Sequence, residues 1–379
     1  MDALTCVPLL SRPTRHTRPV RPGWDAPRLS VVIVNYQRWE DTSRLVRQLR
    51  NSRAVRMGLA EIVIVDNHSP PHPVIGHFRR SADVSLRRWG RNRGFARAVN
   101  EGCRLARGEW FLLLNPDTSV PPRFLDQVLA QLNGYDARAG IVGYRLKNPD
   151  GSVQLSTGRD PGLFRTLTRL LLPRHARKYD LPAAAGPCRV DWVTGCCLLI
   201  RRACFTELGG LDTDFFLYYE DVDLCRRARQ RGWSVWFDPT AAIVHHRPLH
   251  SRPVAPYLRL VTRHALLTYA RKHWAGWQLA LLGRIVRLEA ATRRLLARHR
   301  QDADACRVFA ELDRLTTDLV AGRTDEARSN LLQVVRHEEQ HRVAAPVDRH
   351  PHAPAHRSAV LLPVQRHPLP AFGHTGAGR

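Results

Sequence analysis

The chain has 379 residues, 59 of them Lys or Arg against 34 Asp or Glu, for a formal charge of +25. Its hydrophobic fraction of 44% supports one large buried core plus an appendage, which excludes a wholly disordered or fibrous chain. The charge favours anionic partners such as diphosphates, anionic lipid or nucleic acid, and says nothing about fold.

The eight cysteines are Cys6, Cys103, Cys188, Cys196, Cys197, Cys204, Cys225 and Cys306. None forms a CxxC pair and several sit in apolar runs, the pattern of buried thiols in a reducing compartment. The basic N-terminus lacks a signal-like apolar stretch, and no uncharged run reaches the ~18 residues of a membrane span. The expected location is cytoplasmic.

In chain order, residues 1–27 are rich in Arg and Pro and read as a flexible lead-in. Leu29–Asn35 is an apolar run suited to a strand covered on both faces. Residues 41–50 place Leu45, Val46 and Leu49 on one helical face, and Glu61–Asp66 reads as a second buried strand. Phe95–Arg107 has helical spacing through Phe95, Ala98, Val99, Gly102 and Leu105, and Gly108 stops it. Trp110–Leu114 is a third buried strand, followed by a helix that Pro121 and Pro122 begin. Strands alternating with helices imply a parallel sheet with right-handed crossovers.

After Gly140 the pattern changes. Ile141–Leu146 and Val153–Thr157 flank a turn at Asn148-Pro-Asp-Gly151 and predict a strand pair. Residues 163–172 predict a short basic amphipathic helix, Val190–Ile200 a strand around Gly195, and residues 221–231 a helix stopped by Gly232. Ser234–Phe237 and Ala241–His245 read as two short strands. Residues 256–341 are helical, basic and amphipathic, and the Pro/His/Arg-rich residues 342–379 read as disordered. The expected division is thus a lead-in over 1–27, a catalytic domain over 28–250, helices over 256–341 and a tail over 342–379.

Ligands of an open parallel sheet bind beyond the carboxyl ends of its strands. Polar groups fall there on three strands: Asn35 and Tyr36, then Asp66 and Asn67, then Asn115 and Asp117. Asp66 suits a base or ribose, and Tyr36 suits stacking on the base. Arg91-Asn-Arg-Gly-Phe-Ala96 is a turn ahead of a helix N-terminus, which with Asn92, Gly94 and two arginines suits a phosphate. A divalent cation bridging diphosphate oxygens needs one or two carboxylates, and Asp117 is placed for it. His245, ending an apolar strand, offers a metal nitrogen. In Glu220-Asp-Val-Asp223 a carboxylate at a helix start suits a general base. Each feature also has a plain structural reading as cap or core; their order along the chain is what gives them weight.

Together these motifs resemble glycosyltransferase family 2, with its GT-A nucleotide-binding fold, over about Leu29 to His246. Ser30-Val-Val-Ile-Val-Asn-Tyr36 is similar to the family's first donor-binding strand, and Ile64-Val-Asp-Asn-His-Ser69 to its second. Asn92-Arg-Gly-Phe-Ala-Arg-Ala-Val-Asn100 resembles the GNxGFAxAxN stretch, and Leu113-Leu-Asn-Pro-Asp117 occupies the DXD position. Trp192-Val-Thr-Gly-Cys196, Leu208-Gly-Gly-Leu-Asp212 and Phe216-Leu-Tyr-Tyr-Glu-Asp-Val-Asp-Leu-Cys225 resemble the rhamnosyltransferase-like branch. Two departures are Asn115 where the DXD pattern has Asp, and Gly-Gly-Leu-Asp for Gly-Gly-Phe-Asp.

The resemblance implies a metal-dependent, inverting transfer of a sugar from a nucleotide-diphosphate donor to an acceptor hydroxyl. Val34, Asn35, Tyr36, Asp66, Asn92, Gly94 and Asn115 would line the donor. Asp117 and His245 would hold Mg2+ or Mn2+. Asp221 would be the base, with Glu220 orienting the acceptor and Trp192 stacking on a sugar. The implied donor is dTDP-L-rhamnose or a UDP-linked hexose, and the acceptor a lipid-linked or other surface glycan precursor. The C-terminal helices either lie on an anionic membrane surface at its inner face, pack as a cap, or form a dimer contact. A nucleic-acid partner is not expected, because no reading motif or basic patch interleaved with aromatics is present. A nucleotidyltransferase would want an early Gly-rich triphosphate loop, which is missing.

Overall fold

The computed structural model describes residues 26–170, 186–247 and 254–344. The expected lead-in and tail lie almost entirely outside the described residues. The chain divides into a compact unit through Val335 and a second from Arg336, of which the end of one helix is described.

The centre is a ten-stranded mixed sheet. Strands β1 (Leu29–Asn35), β2 (Ala60–Asn67), β3 (Val84–Trp89) and β4 (Trp110–Leu114) are mutually parallel in the order β3-β2-β1-β4. Every residue of β1, β2 and β4 is buried, as continuous apolar runs require when helices cover both faces. Helices α1 (Trp39–Arg50), α2 (Arg53–Arg56), α3 (Val74–Arg80) and α4 (Phe95–Leu105) connect them. Beyond β4 lie the two-residue β5 (Thr118–Ser119), α5 (Phe124–Gln131) and β6 (Ala139–Lys147). The expected helix start at Pro121 moves to Phe124.

Strands β7 (Val153–Gln154) and β8 (Thr157–Gly158) follow, then α6 (Leu163–Leu170). The strand predicted over 190–200 is broken at Gly195 into β10 (Trp192–Val193) and β11 (Cys197–Arg201), after a short β9 (Cys188–Arg189). β10 pairs with β8 in a separate ribbon, while β11 runs antiparallel between β4 and β6. After α7 (Arg202–Glu207) and α8 (Glu220–Gln230), the two predicted strands are one, β12 (Ser234–His245). It runs parallel to β6, and its register slips between Asp238 and Ala242. Pro239 has no N–H for the ladder, and Asp238 Oδ1 instead accepts from Thr240 N at 2.9 Å, so the chain bulges rather than stops.

The remainder of the first unit is helical: α9 (Pro256–His273), α10 (Gly276–His299), α11 (Ala303–Val320) and the start of α12 (Thr324–Ala344). Leu260, Leu267, Leu282, Leu312 and Leu315 share a buried apolar cluster with Leu163 and Phe216 of the catalytic layer. Glu289 crosses from α10 to Arg263 of α9 at 2.7 Å. Among the described residues no helix is long and apolar enough to cross a membrane.

Candidate active site

The strands' carboxyl ends bring the expected polar groups to one edge, but with different tasks from those the sequence suggested. Asn35 and Asp66 are adjacent in register and fully buried. Asn35 Nδ2 donates to Asp66 Oδ1 and to Ser69 Oγ, both at 2.9 Å, and its Oδ1 accepts from Thr42 Oγ1 at 2.9 Å. Asn35 therefore braces the loop after β2. Asp66 Oδ2 accepts from Arg88 Nε at 2.9 Å, and the same guanidinium donates to Ser69 O. Arg88, at the end of a strand the sequence did not suggest, is a missed member of the site; its signal was a basic residue at a strand's carboxyl end. Val34 is buried beneath this edge and Tyr36 is half-buried at it.

The arginine-rich turn is tied to the same edge. Asn67 Nδ2 donates to Asn92 Oδ1 at 2.8 Å, while Asn67 Oδ1 accepts from Arg93 N at 2.8 Å. Asn92 Oδ1 also accepts from Gly94 N. Gly94 has φ +89, and a Cβ there would stand 2.8 Å from Phe216 O. Phe95 N donates to that same carbonyl at 2.7 Å, so the turn is locked to the segment leading into α8. Tyr218 and Tyr219 in that segment have φ +74 and +66, a left-handed pair of bulky residues just before the acidic motif. Such backbone strain concentrates at functional sites.

Asp117 and His245 meet because β5 pairs with the end of β12: His245 sits opposite Thr118, and His246 N donates to Asp117 O at 2.9 Å. His245 Nε2 lies 3.5 Å from Asp117 Oδ1, and His245 Nδ1 lies 2.9 Å from Gln154 Nε2. That contact requires an acceptor at Nδ1, or a turned amide presenting Oε1 to an Nδ1–H; a protonated imidazole takes the second arrangement and keeps an Nε2–H for Asp117. Gln154 had no signal in the sequence. Burial opposes ionisation of Asp117, but the neighbouring His245 and Arg38 hold its carboxyl below the usual range. Burial likewise opposes charge on His245, yet Cys196 and Asp117 beside it hold the imidazole up, to about 10. Without a metal the pair is therefore a partly buried carboxylate facing a charged imidazole, and a divalent cation between them would take the place of that proton. An oxygen and an imidazole nitrogen suit Mg2+ or Mn2+. Among the described residues no group of three or more His, Cys, Asp or Glu could hold a metal.

Asp221, at the start of α8, is buried. Its Oδ2 accepts from Gly195 N and its Oδ1 from Val222 N, each at 2.9 Å. Across the following peptide unit, Asn115 N donates to Cys196 O at 3.0 Å. Two consecutive residues at the break between β10 and β11 therefore join the acidic helix to the strand end that carries Asp117. Glu220 is buried alongside. Trp192 is not a stacking platform: its ring is fully buried and Nε1 donates to Arg159 O at 3.0 Å. It packs among Val193, Val222 and Leu224, because the pairing of β10 with β8 turns it inward.

Three consecutive residues ending α9 grip this layer. Lys272 Nζ bonds Asp212 at 2.9 Å and Asp214 at 2.7 Å. His273 Nε2 lies 2.8 Å from Asp223 Oδ1. Trp274 Nε1 donates to Pro161 O at 2.9 Å.

Residues 27–266 match the family model described as glycosyltransferase-like family 2. The chain belongs to this family. An N-acetylglucosaminyl-diphospho-decaprenol L-rhamnosyltransferase of Mycobacterium tuberculosis (strain CDC 1551 / Oshkosh) is 31% identical to the transferase over 275 residues, 67% of this chain and 87% of the relative. The low-salt glycan biosynthesis hexosyltransferase Agl10 of Haloferax volcanii is 28% identical over 58% of this chain and 68% of its own. The rhamnosyltransferase WbbL of Escherichia coli (strain K12) is 26% identical over 42% and 60%. Among solved structures, GalNAc-T7 with UDP, GalNAc and Mn2+ has a TM-score of 0.50 at 19% identity, covering 66% of this chain and half of that one. That likeness bears on the fold, which is GT-A.

Proposed function

We propose that the transferase moves L-rhamnose from a dTDP donor onto a hydroxyl of a polyprenyl-diphosphate-linked N-acetylglucosamine glycan precursor, inverting the anomeric centre. The observation that carries the mechanism is the joint at Gly195-Cys196, which sets Asp221 on one side and Asn115 to Asp117 on the other. The sugar and acceptor are supported by the activity for which the mycobacterial relative is named.

In this reading the donor lies along the edge formed by Tyr36, Asp66, Asn92, Gly94 and Asn115, with Val34 and Asn35 supporting it from beneath. Asp66, held in place by Asn35 and Arg88, would accept from the base through its remaining acceptor capacity. Asp117 and His245 would hold a divalent cation, Mg2+ or Mn2+, which supplies charge neutralisation for the departing diphosphate. Asp221 takes the proton of the acceptor hydroxyl as that oxygen bonds to the anomeric carbon. The bond from that carbon to the diphosphate breaks, and its electron pair leaves with the nucleotide. Two backbone N–H groups fix the Asp221 carboxylate, so little reorganisation accompanies proton transfer. Glu220 orients the acceptor. A lipid-linked acceptor of this kind places the enzyme at the cytoplasmic face of the cell membrane.

The test is a screen of sugar nucleotides for thermal stabilisation with Mg2+ or Mn2+, since a ligand of the folded state raises its stability. Product anomeric configuration follows by NMR. Stabilisation by dTDP-rhamnose with an inverted product is expected; no response to any sugar nucleotide, or a retained configuration, overturns the reading.

A further inference from the structure

Helix α10 carries two apolar faces. Leu279, Leu282, Val286 and Ala290 are buried against the neighbouring helices. On the opposite side Trp277, Leu281, Leu288 and Leu295 are exposed, at 59%, 37%, 69% and 67%. At 100° per residue these four fall within about 40° of one another, a stripe about 27 Å long. Arg284 lies within the stripe; Arg287, Arg294 and Arg298 line one border, all exposed, and of these Arg287 is paired with Asp313 of α11 at 2.8 Å. The single acid of α10, Glu289, is already bonded by Arg263 and Arg293. The apolar stripe is therefore bordered by positive charge that no residue of its own helix offsets.

Position adds a second argument. α10 starts two residues after Trp274, whose Nε1 holds Pro161 O. Pro161 leads from β8, the partner of β10, into α6, where Phe164 is 73% exposed while Leu163 joins the cluster containing Leu279 and Leu282. Exposed aromatics thus occur at the starts of two helices that share one apolar cluster, next to the ribbon leading to Gly195 and Asp221.

We infer that the Trp277–Leu295 face of α10 docks the transferase on an anionic lipid bilayer. The apolar side chains enter the boundary between headgroups and acyl chains, Trp277 sits at the interface, and the arginines reach lipid phosphates. A second copy is the poorer occupant, because a two-fold contact through this face covers Arg284 of both copies and, when antiparallel, sets the two arginine borders against each other. The inference that docking presents the β8/β10 ribbon to membrane-borne acceptor rests on the proposed acceptor; docking itself does not.

The experiment is co-sedimentation of the full chain with vesicles of phosphatidylcholine plus phosphatidylglycerol and with vesicles of phosphatidylcholine alone. No donor or acceptor is present, so the outcome is separate from the donor-stabilisation test, and failure of either leaves the other standing. The wild type is expected to bind the anionic vesicles, to be released by salt, and to bind the neutral ones weakly. Leu288→Asp with Leu295→Asp should lower partitioning roughly tenfold or more. Both positions are exposed, so the fold is kept, which donor-independent thermal melting checks. Wild type that stays in solution overturns the proposal, as does a double variant that binds like wild type. Equal binding to both vesicle types also overturns it, and so does a wild-type dimer that the variant dissociates without any vesicle binding.

Discussion

His273 Nε2 and Arg227 Nε hold opposite oxygens of Asp223, at 2.8 and 2.6 Å, so a fully buried carboxylate ties α8 to the end of α9. Removing one partner of such a pair leaves buried charge undercompensated. His273→Ala should cost about 1–3 kcal/mol of stability, read by chemical denaturation. His273→Gln, which restores a donor, should recover part of it. A His273→Ala protein as stable as wild type would show that the contact carries no net weight.

Asp221 and Asp223 diverge in their partners, one to Gly195 N and the other to Arg227 and His273. Asp221→Asn should lower turnover by roughly 10²–10⁴ with donor affinity little changed. Asp223→Asn should act mainly on stability. Transfer rate, donor affinity and melting temperature of both variants separate these roles; near-normal turnover in Asp221→Asn exchanges or abolishes them.

The metal reading makes a paired prediction. Asp117→Ala should abolish the Mg2+- or Mn2+-dependent part of donor stabilisation. Gln154→Leu, which keeps the volume but removes the contact to His245 Nδ1, should weaken metal affinity by about 10–100-fold. Full transfer activity in excess chelator would sink both.

Acid should loosen the helical layer through His264. It is buried in α9, and burial followed by the Arg328 charge pushes its imidazole down to about 4, against the weaker pull of Asp214. A folded-state value below the unfolded one gives a contribution that is complete above about 6.5 and is lost as pH falls toward about 4. The loss approaches about 3 kcal/mol at the bottom of that window. His264→Gln should flatten stability against pH between those limits, measured by urea midpoints at several pH values. An unchanged slope would remove His264 as the cause.

Gly94→Ala combines a positive φ with a Cβ placed 2.8 Å from Phe216 O. The predicted cost is more than about 1 kcal/mol. Because Phe95 N bonds that carbonyl, turnover should fall further than donor affinity. Equal losses in both would place the effect at the donor alone.

What the sequence disclosed follows from which forces are local. Leu29–Asn35, Glu61–Asp66 and Trp110–Leu114 have uninterrupted apolar cores (Val31–Val34, Ile62–Val65 and Trp110–Leu114), and a parallel sheet demands such runs, so those strands and the α/β class were readable. Strand β3 was not, because Val84–Trp89 carries Arg87 and Arg88 and is only partly buried. Ser234–Phe237 and Ala241–His245 read as two strands, whereas pairing with β6 carries one strand past Pro239. At the site, residue type and order suggested Asp117, His245 and Asp221, and pairing of β5 with β12 brings the first two together. Trp192 failed as a stacking group because its orientation depends on β8, thirty-odd residues away, and Gln154 was invisible because an amide in a two-residue strand has no signature.

Lys272, His273 and Trp274 each take hold of a different part of the catalytic layer, and all three lie beyond residue 266, where the match to the family model ends. A chain shortened to that boundary keeps every residue assigned to chemistry. It also strips a cation from Asp212 and Asp214, half the compensation from Asp223, and the anchor from Pro161. The end of the family-model match is therefore not the end of the compact unit, which runs on to Val335, and the smallest autonomous unit has to be sought downstream of Trp274.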